Sequence, residues 1–447
     1  MHYISKAEQW AIDLYPDNKE NCNYKLSDYT IVEEYNDGYI VFNSITWSMY
    51  YLSKEEYSNV LSNNTLIKNK VVVDDSIYEY DIAEQAYLKR SSRTNTRMYD
   101  TINSYVVFTT NTCNAHCPYC YENTKIGSMS LETAEKFVNF AIKHKKNGKN
   151  LSILWFGGEP LKNIPIINYI SGRLKNENIQ FSSKMISNCS LFTPDLLDNA
   201  INIWNLKQVQ VTFDGPEEMY NHIKNYDNIN GSAFKVVLDN IENILQKSNI
   251  KVIIRINVSH SNIDSIQELI DCLNDRLISY SNLSYDTKIL YQILNNAELL
   301  KKDDFETKFC EFVDRNFPDE NRYLIKKRDL MKCMADMCGC VAVSPNGVFH
   351  NCEHVSNDNI IGNVEEGITG TTTIEKTLDK GGKHLDICKE NKCKLMPTCD
   401  LVHFCEAAPR CTDKEFIKHE NNSFIKCLKL TTEYYFKKLE EIKTETI

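Results

Sequence analysis

Three cysteines in one short run carry the strongest chemical signal of this chain. Cys113, Cys117 and Cys120 stand in Thr110-Asn111-Thr112-Cys113-Asn114-Ala115-His116-Cys117-Pro118-Tyr119-Cys120-Tyr121-Glu122. Thiolates at this spacing on one loop can each take a corner of a cubane iron–sulfur cluster. No fourth ligand stands in the loop, so one iron is left for a small molecule to chelate. A zinc knuckle or a set of buried thiols would use the same side chains. Zinc sites, however, usually come as Cys-x-x-Cys pairs with four ligands, and this run has three.

Further polar runs follow at the ends of apolar segments. In Trp155-Phe156-Gly157-Gly158-Glu159-Pro160 the two glycines allow close approach of backbone to a ligand, and a Glu beside them can accept hydrogen bonds from an ammonium. Met185-Ile186-Ser187-Asn188-Cys189 and Thr212-Phe213-Asp214-Gly215-Pro216 end two more such segments. Arg255 and Asn257 are two apart on an extended run, so they share a face. A second cysteine region begins at Cys333-Met334-Ala335-Asp336-Met337-Cys338-Gly339-Cys340 and reaches Cys352 after a Ser344-Pro345-Asn346-Gly347 turn. Cys388, Cys393, Cys399, Cys405, Cys411 and Cys427 come after it. Two zinc sites of four thiolates each would fit this composition as well as clusters do.

As a set, these motifs resemble the radical S-adenosylmethionine (SAM) superfamily, and the later cysteines resemble a SPASM domain, its extension with two auxiliary clusters. The resemblance covers roughly residues 100–430. It implies that Cys113, Cys117 and Cys120 hold the SAM-binding 4Fe-4S cluster, with the aromatic Tyr119 beside it. Gly157, Gly158 and Glu159 would hold the SAM amino group, and Ser187 and Asn188 its ribose or carboxylate. Asp214 matches the family's Ser-x-Asp-Gly run. Arg255 and Asn257 would reach SAM, although a strand-end salt bridge is an equal reading for Arg255. Cys189 replaces the family's glycine. Lys224 stands where the family often has arginine and carries no inferred role. By order, Cys333, Cys338 or Cys340, Cys352 and Cys405 would hold the first auxiliary cluster. Cys388, Cys393, Cys399 and Cys427 would hold the second. Cys411 is extra, and insertions leave Cys405 against Cys411 open. Cys22, Cys272 and Cys310 are expected as buried hydrophobes.

The reaction implied by the resemblance starts with one electron passed to SAM, which releases a 5′-deoxyadenosyl radical. That radical takes a substrate hydrogen, and the auxiliary clusters accept an electron back. The leading expectation is an oxidoreductase-type maturase that forms a thioether or other crosslink on a ribosomally made precursor peptide with a leader segment. An anaerobic sulfatase maturase making formylglycine is the alternative, with Glu353 after Cys352 as catalytic base. A surface carboxylate is the plain reading of Glu353. An iron–sulfur electron carrier or leader-binding scaffold is the non-enzyme alternative. A flavodoxin or ferredoxin is the expected electron donor.

Composition sets the frame for this chemistry. A chain of 447 residues with 42% hydrophobic and 25% charged residues is an ordinary globular protein of two or three domains. A net charge of −10 argues against nucleic acid as partner. No signal-peptide core or membrane-length apolar run is seen, so a cytoplasmic protein is expected. Seventeen cysteines in a reducing compartment point to ligation rather than disulfides.

The elements that must position the motifs alternate between strand and helix. Strands are expected at 104–109, 151–156, 183–187, 208–213, 252–258 and 288–294. Helices such as 131–143, 194–204, 233–246 and 263–273 lie between them. This predicts an α/β fold with a parallel sheet, and the six units are too few for a full eight-stranded barrel. The expected architecture is a partial (β/α)6 radical SAM barrel at 100–300. A small N-terminal α+β module at 1–95 precedes it, and a cysteine-rich SPASM domain at 325–447 follows. In the first module, extended runs at 29–35 and 39–43 flank an Asn36-Asp37-Gly38 hairpin turn. Another extended run at 47–52 precedes a helix capped by Ser53. Residues 89–97 read as a linker. The module resembles the peptide-recognition modules of peptide-modifying enzymes, with a structural cap on the barrel as the other reading. A closing helix is expected at 426–443.

Overall fold

The computed structural model describes the chain except residues 18, 20–21, 92–101, 123–125, 295–298, 300–301, 318–333, 335–338, 370–386, 399–413 and 446–447. It divides into two compact units. One comprises Thr96–Asn316 and Cys333–Ile374, the other Met1–Asn95, Phe317–Lys332 and Glu375–Ile447.

The first of these is a mixed α/β unit built on a parallel sheet. Strands β1 (Ser104–Thr110), β2 (Leu151–Gly157), β3 (Phe181–Ile186), β4 (Leu206–Phe213), β5 (Lys251–Val258) and β6 (Leu283–Ile289) lie side by side in chain order, each pairing parallel with the next. Strand β7 (Cys340–Val343) adds to the free side of β1, again parallel. Strands β8 (Val348–His350), β9 (Ile360–Asn363) and β10 (Gly367–Ile368) then continue the same sheet antiparallel.

Helices cover one face of the sheet. They include α1 (Leu131–His144), α2 (Ile164–Asn176), α3 (Leu197–Asn202), α4 (Glu217–Lys224), α5 (Ala233–Lys247) and α6 (Ile266–Leu277). The strand alternation shows why the sheet sits this way. In β5, Val252, Ile254, Ile256 and Val258 are fully buried, whereas Ile253, Arg255 and Asn257 are only partly covered. Period-two patterning thus separates a core face from a polar inner face. Strand β1 differs, since Val106 and Phe108 on its inner side cluster with Phe156 and Ala342. The inner face is therefore apolar at β1 and β2 and polar at β5.

Most expected elements appear, and their departures have local causes. The sixth strand is Leu283–Ile289, not 288–294; Tyr291–Leu294 forms a helical turn. Pairing with β5 sets its register from Leu283, and the last β5 carbonyl, of Val258, accepts from Leu290 N at 2.9 Å. Asp286 and Lys288 masked the strand in the sequence because they lie on the polar inner face. Cys272, expected to be buried, is exposed, because the buried stripe of α6 runs through Leu269, Ile270 and Leu273. Cys22 and Cys310 are partly buried.

The other unit holds a sheet of Thr30–Tyr35, Gly38–Asn43, Ser48–Ser53 and His2–Ser5, antiparallel throughout. Asn36 adopts the left-handed conformation, φ 54°, that the hairpin turn requires. Gly38 cannot carry a side chain, since a Cβ would stand 2.3 Å from the Leu52 carbonyl oxygen. Ser53 caps the helix Lys54–Ser58 in a reciprocal pair with Glu56. Residues 89–91, expected in a linker, close the helix Tyr80–Ser91. Arg90 is 10% exposed at its side chain. It donates to the carbonyls of Ser44 and Pro397 at 3.1 and 2.8 Å and pairs with Glu8 at 2.8 Å. The helix Lys414–Glu445 is longer than expected and sets Phe424 against Phe42, centroids 5.3 Å apart.

Candidate active site

The cysteine loop leaves β1 at Thr110 and is held by the ends of the next three strands. Its first support is the turn after β2. Gly158 N and Glu159 N donate to the carbonyls of Thr110 and Thr112, both at 3.0 Å. A Cβ at Gly157 would lie 2.1 Å from the Thr110 carbonyl oxygen, and one at Gly158 would lie 2.5 Å from that of Thr112. Both glycines are thus required by the approach of one backbone to another.

Glu159 is fully buried. Its Oε1 accepts from Leu161 N at 3.1 Å and from Ser187 Oγ at 2.9 Å, and its Oε2 accepts from Asn188 N at 2.8 Å. Burial pushes its carboxyl up to about 7 against those three donors, which favour the anion. Ser187 and Asn188 form the second support. Asn188 Nδ2 donates to Asn114 Oδ1 at 3.0 Å and approaches Cys113 Sγ at 3.8 Å. Cys189 takes the left-handed conformation, φ 57°, so the chain keeps a glycine-type turn at this position without a glycine.

The third support comes from the end of β4 and from α4. Tyr119 OH donates to Asp214 Oδ1 at 2.6 Å, and Lys224 Nζ lies 2.9 Å from Asp214 Oδ2 and 3.0 Å from Tyr119 OH. The Lys224 carbonyl accepts from His116 N at 2.7 Å, and Asp227 N donates to the Asn114 carbonyl at 2.8 Å. His116 Nε2 meets Asp227 Oδ1 at 2.9 Å. The segment from Lys224 to Asp227 therefore latches the loop between its first and last cysteines. Sequence reading assigned no role to Lys224 or Asn114. The one available signal was a basic residue following Asp214 by a short helix.

Three thiols on one loop suit the separate corners of a cubane. Cys113 and Cys117 are half-buried and Cys120 is exposed. Burial raises Cys113 to about 11, and burial also raises Cys117, which Lys224 offsets. Cys120 adds to the electrostatic load on both. Buried neutral thiols that crowd one another are the state that cationic iron relieves. Ala115 N donates to Cys113 Sγ at 3.4 Å, an orienting contact of the kind that surrounds cluster sulfurs.

A cavity of about 340 Å³ opens beside the loop. Tyr119 and Asp214 line one side, Asn257 and Ser259 lie at the end of β5, and Leu290 and Ile293 close the far side. This volume lies within the usual range for a small-molecule site. Arg255, expected at SAM, stands 3.7 Å from Asp286, the salt-bridge reading.

Glu353 is exposed, yet the protein atoms crowding its recess raise its carboxyl, which Arg255 and His354 lower. Glu122, which sequence reading passed over, faces it electrostatically and is pushed up to about 7, mainly by burial. The neighbouring Tyr121 and His354 rings stack at 5.6 Å. Cys340 and Cys352 are half-buried. Cys388 and Cys393 are buried, joined by Cys393 N to the Cys388 carbonyl at 2.9 Å, and Cys427 is half-buried. Cys333, Cys338, Cys399, Cys405 and Cys411 lie outside the described residues.

Comparison with known proteins agrees with this geometry. Residues 107–273 match the family model described as the Radical SAM superfamily. The radical SAM cyclopropyl synthase TigE of Paramaledivibacter caminithermalis is 25% identical over 216 residues, 44% of this chain and 43% of its own. The match thus spans less than half of that relative's length. An uncharacterised protein of Methanocaldococcus jannaschii is 26% identical over 215 residues, 46% of this chain and 71% of its own. Among solved structures, the sulfatase maturase anSMEcpe with bound AdoMet superposes with a TM-score of 0.54 at 17% identity, covering 77% of this chain and 100% of its own. The family match begins on β1 and takes in the cysteine loop with all three of its supports, so residues 107–273 are similar to a radical SAM domain.

Proposed function

We propose that this chain is a radical SAM enzyme that modifies a ribosomally made peptide, forming a thioether or another crosslink. The observation that carries the reading is the cysteine loop braced by the ends of β2, β3 and β4 beside an open cavity. A carrier protein would need the thiols but not the cavity. Cys113, Cys117 and Cys120 would hold a 4Fe-4S cluster, and Tyr119, Asp214 and Asn257 would border SAM. When bound, the cluster and SAM supply one electron and a 5′-deoxyadenosyl radical for hydrogen abstraction. The chain's own part is positional. Gly157, Gly158, Glu159, Ser187 and Asn188 fix the loop through backbone and side-chain hydrogen bonds, so the thiols are preorganised.

The polar inner face of β5 and β6 supports a peptide rather than a small apolar substrate. Arg255, Asp286 and Lys288 offer charged partners there, with Lys288 3.3 Å from Asp286. The fold shared with anSMEcpe is one that in that protein holds both AdoMet and a peptide. Cys333, Cys338 or Cys340, Cys352, and Cys405 or Cys411 are proposed for a first auxiliary cluster. Cys388, Cys393, Cys399 and Cys427 are proposed for a second, which makes residues 325–447 a SPASM domain. Residues 1–95 are proposed to bind a leader segment at a sheet edge. A flavodoxin or ferredoxin would donate electrons, and a cytoplasmic location is proposed. Among the described residues no helix is long and apolar enough to cross a membrane.

Sulfatase maturation is the second reading. It is favoured by Glu353, whose raised carboxyl faces Glu122 and Arg255. Anaerobic incubation with SAM, dithionite and candidate peptides separates the two readings. Release of 5′-deoxyadenosine with a two-hydrogen mass loss that fragmentation maps to two joined residues supports crosslinking. Formylglycine in a sulfatase peptide supports the alternative, and absence of 5′-deoxyadenosine removes both.

A further inference from the structure

Among the described residues, Lys224 is the one buried cation at the cysteine loop, and its surroundings define a role beyond packing. Its side chain is 5% exposed, and that of its partner Asp214 is 2% exposed. The ammonium touches Asp214 Oδ2 at 2.9 Å and Tyr119 OH at 3.0 Å, and it lies 5.6 and 5.7 Å from the ring centres of Tyr119 and Tyr220. Tyr119 sits between Cys117 and Cys120 in the chain, so the clamp acts within the ligand loop itself. The Lys224 backbone holds the same loop through His116 N at 2.7 Å. One residue thus grips the loop by its main chain on one side of Cys117 and by its side chain on the other.

The charge matters as well as the grip. Burial is the largest influence and opposes the ammonium, but Asp214 and the other neighbouring groups together hold it well above its ordinary value, so it stays protonated. A fixed positive charge in a poorly screened site stabilises added negative charge nearby.

We propose that Lys224 is the positioning residue of the SAM-binding cluster and sets its reduction potential, its ammonium locking Tyr119 and Asp214 under Cys117 and favouring the reduced cluster. The inference rests on the radical SAM reading of the site. The redox event concerned is the gain of one electron, from dithionite in the test, by the cluster as it passes from the 2+ to the 1+ state. Removal of the ammonium leaves the Asp214 carboxylate without its cation at 2.9 Å beside the ligand loop, which would disfavour that electron.

The test is an anaerobic potentiometric titration of the reconstituted full-length protein. It follows the reduced-cubane paramagnetic signal that SAM perturbs, in wild type, Lys224→Arg, Lys224→Met and Lys224→Met/Asp214→Asn. Lys224→Met is expected to be at least tenfold harder to reduce, a midpoint lower by about 59 mV. Lys224→Arg keeps the charge and is expected to stay near wild type. The double variant removes the unpaired carboxylate and is expected to lie between. If Lys224→Met does not retain iron, the double variant is read in its place, and a wild-type midpoint there overturns the proposal. A fully loaded Lys224→Met protein with the wild-type midpoint overturns it too. Failure of Lys224→Arg to load would show a shape requirement only and would also overturn it. A wild-type protein without any SAM-perturbed cubane would defeat the functional reading itself, an outcome distinct from unmoved variants.

Discussion

Glu159 Oε2 accepts the backbone N–H of Asn188 at 2.8 Å, joining the turn after one strand to the turn after the next. Together with Leu161 N and Ser187 Oγ on Oε1, this makes Glu159 a brace inside the protein. Glu159→Ala leaves those three donors buried without an acceptor. A loss of about 3 kcal/mol is expected, against about 1 kcal/mol for Glu159→Gln, which keeps an acceptor. Denaturant midpoints of the anaerobic proteins check this. Equal losses in the two variants would show that the hydrogen bonds are not the source.

The same carboxyl predicts a pH dependence. Burial holds it at about 7, above its ordinary value near 4.5. Between those values the folded state keeps a proton that the unfolded chain has released. The folded state therefore binds more protons, and its stability falls as pH rises through that window. Glutamine at 159 has no proton to lose. The stability of Glu159→Gln relative to wild type should improve by about 1 kcal/mol between pH 6 and pH 8. A constant difference across that range would mean that Glu159 is ionised throughout.

What the sequence made legible was the part fixed by covalent spacing and strand periodicity. Cys113, Cys117 and Cys120 sit within a few residues of one another, so their convergence needs no knowledge of the fold. Gly157, Gly158, Glu159, Ser187, Asn188 and Asp214 could be placed because each follows an apolar run that became a strand. What they touch was not legible. No local pattern announced that Glu159 would accept from Leu161 N, Ser187 Oγ and Asn188 N. Lys224 carried no assigned role because only the folding back of α4 brings it to Asp214 and Tyr119. Residues 288–294 looked like a strand because apolar content was read without the pairing register that β5 imposes. Arg90 looked like part of a polar linker, since no local pattern announces that carbonyls of residues 44 and 397 will surround a guanidinium.

Iron content tests the proposed auxiliary sites. The cysteines after residue 330 are enough for two further groups of four thiolates, so two auxiliary sites are expected. The reconstituted protein should hold well over four irons per chain. Replacing Cys113, Cys117 and Cys120 together by Ala should remove about four of them and abolish 5′-deoxyadenosine formation. Iron near four in the wild type, with zinc in the balance, would identify the later cysteines as zinc ligands.

The last prediction concerns residues 1–95. Their sheet and the segment from residue 375 onward form one unit. Lys394 Nζ donates to the Thr30 carbonyl at 2.8 Å, Arg90 donates to that of Pro397, and Phe42 packs on Phe424. Cys388 and Cys393, at 4% and 8% exposure, are buried in the same unit. Deleting 1–95 removes the partners of Lys394, Pro397 and Phe424 at once. The truncated chain should therefore lose iron from the later cysteines as well as peptide modification. Arg90→Met is the milder probe. It leaves Glu8 and carbonyl groups without their buried cation, and a loss of about 3 kcal/mol is expected, with faster alkylation of Cys388 and Cys393 in the metal-free protein read by mass spectrometry. A truncated protein that keeps its full iron content and loses only peptide turnover would show that the sheet serves recognition alone.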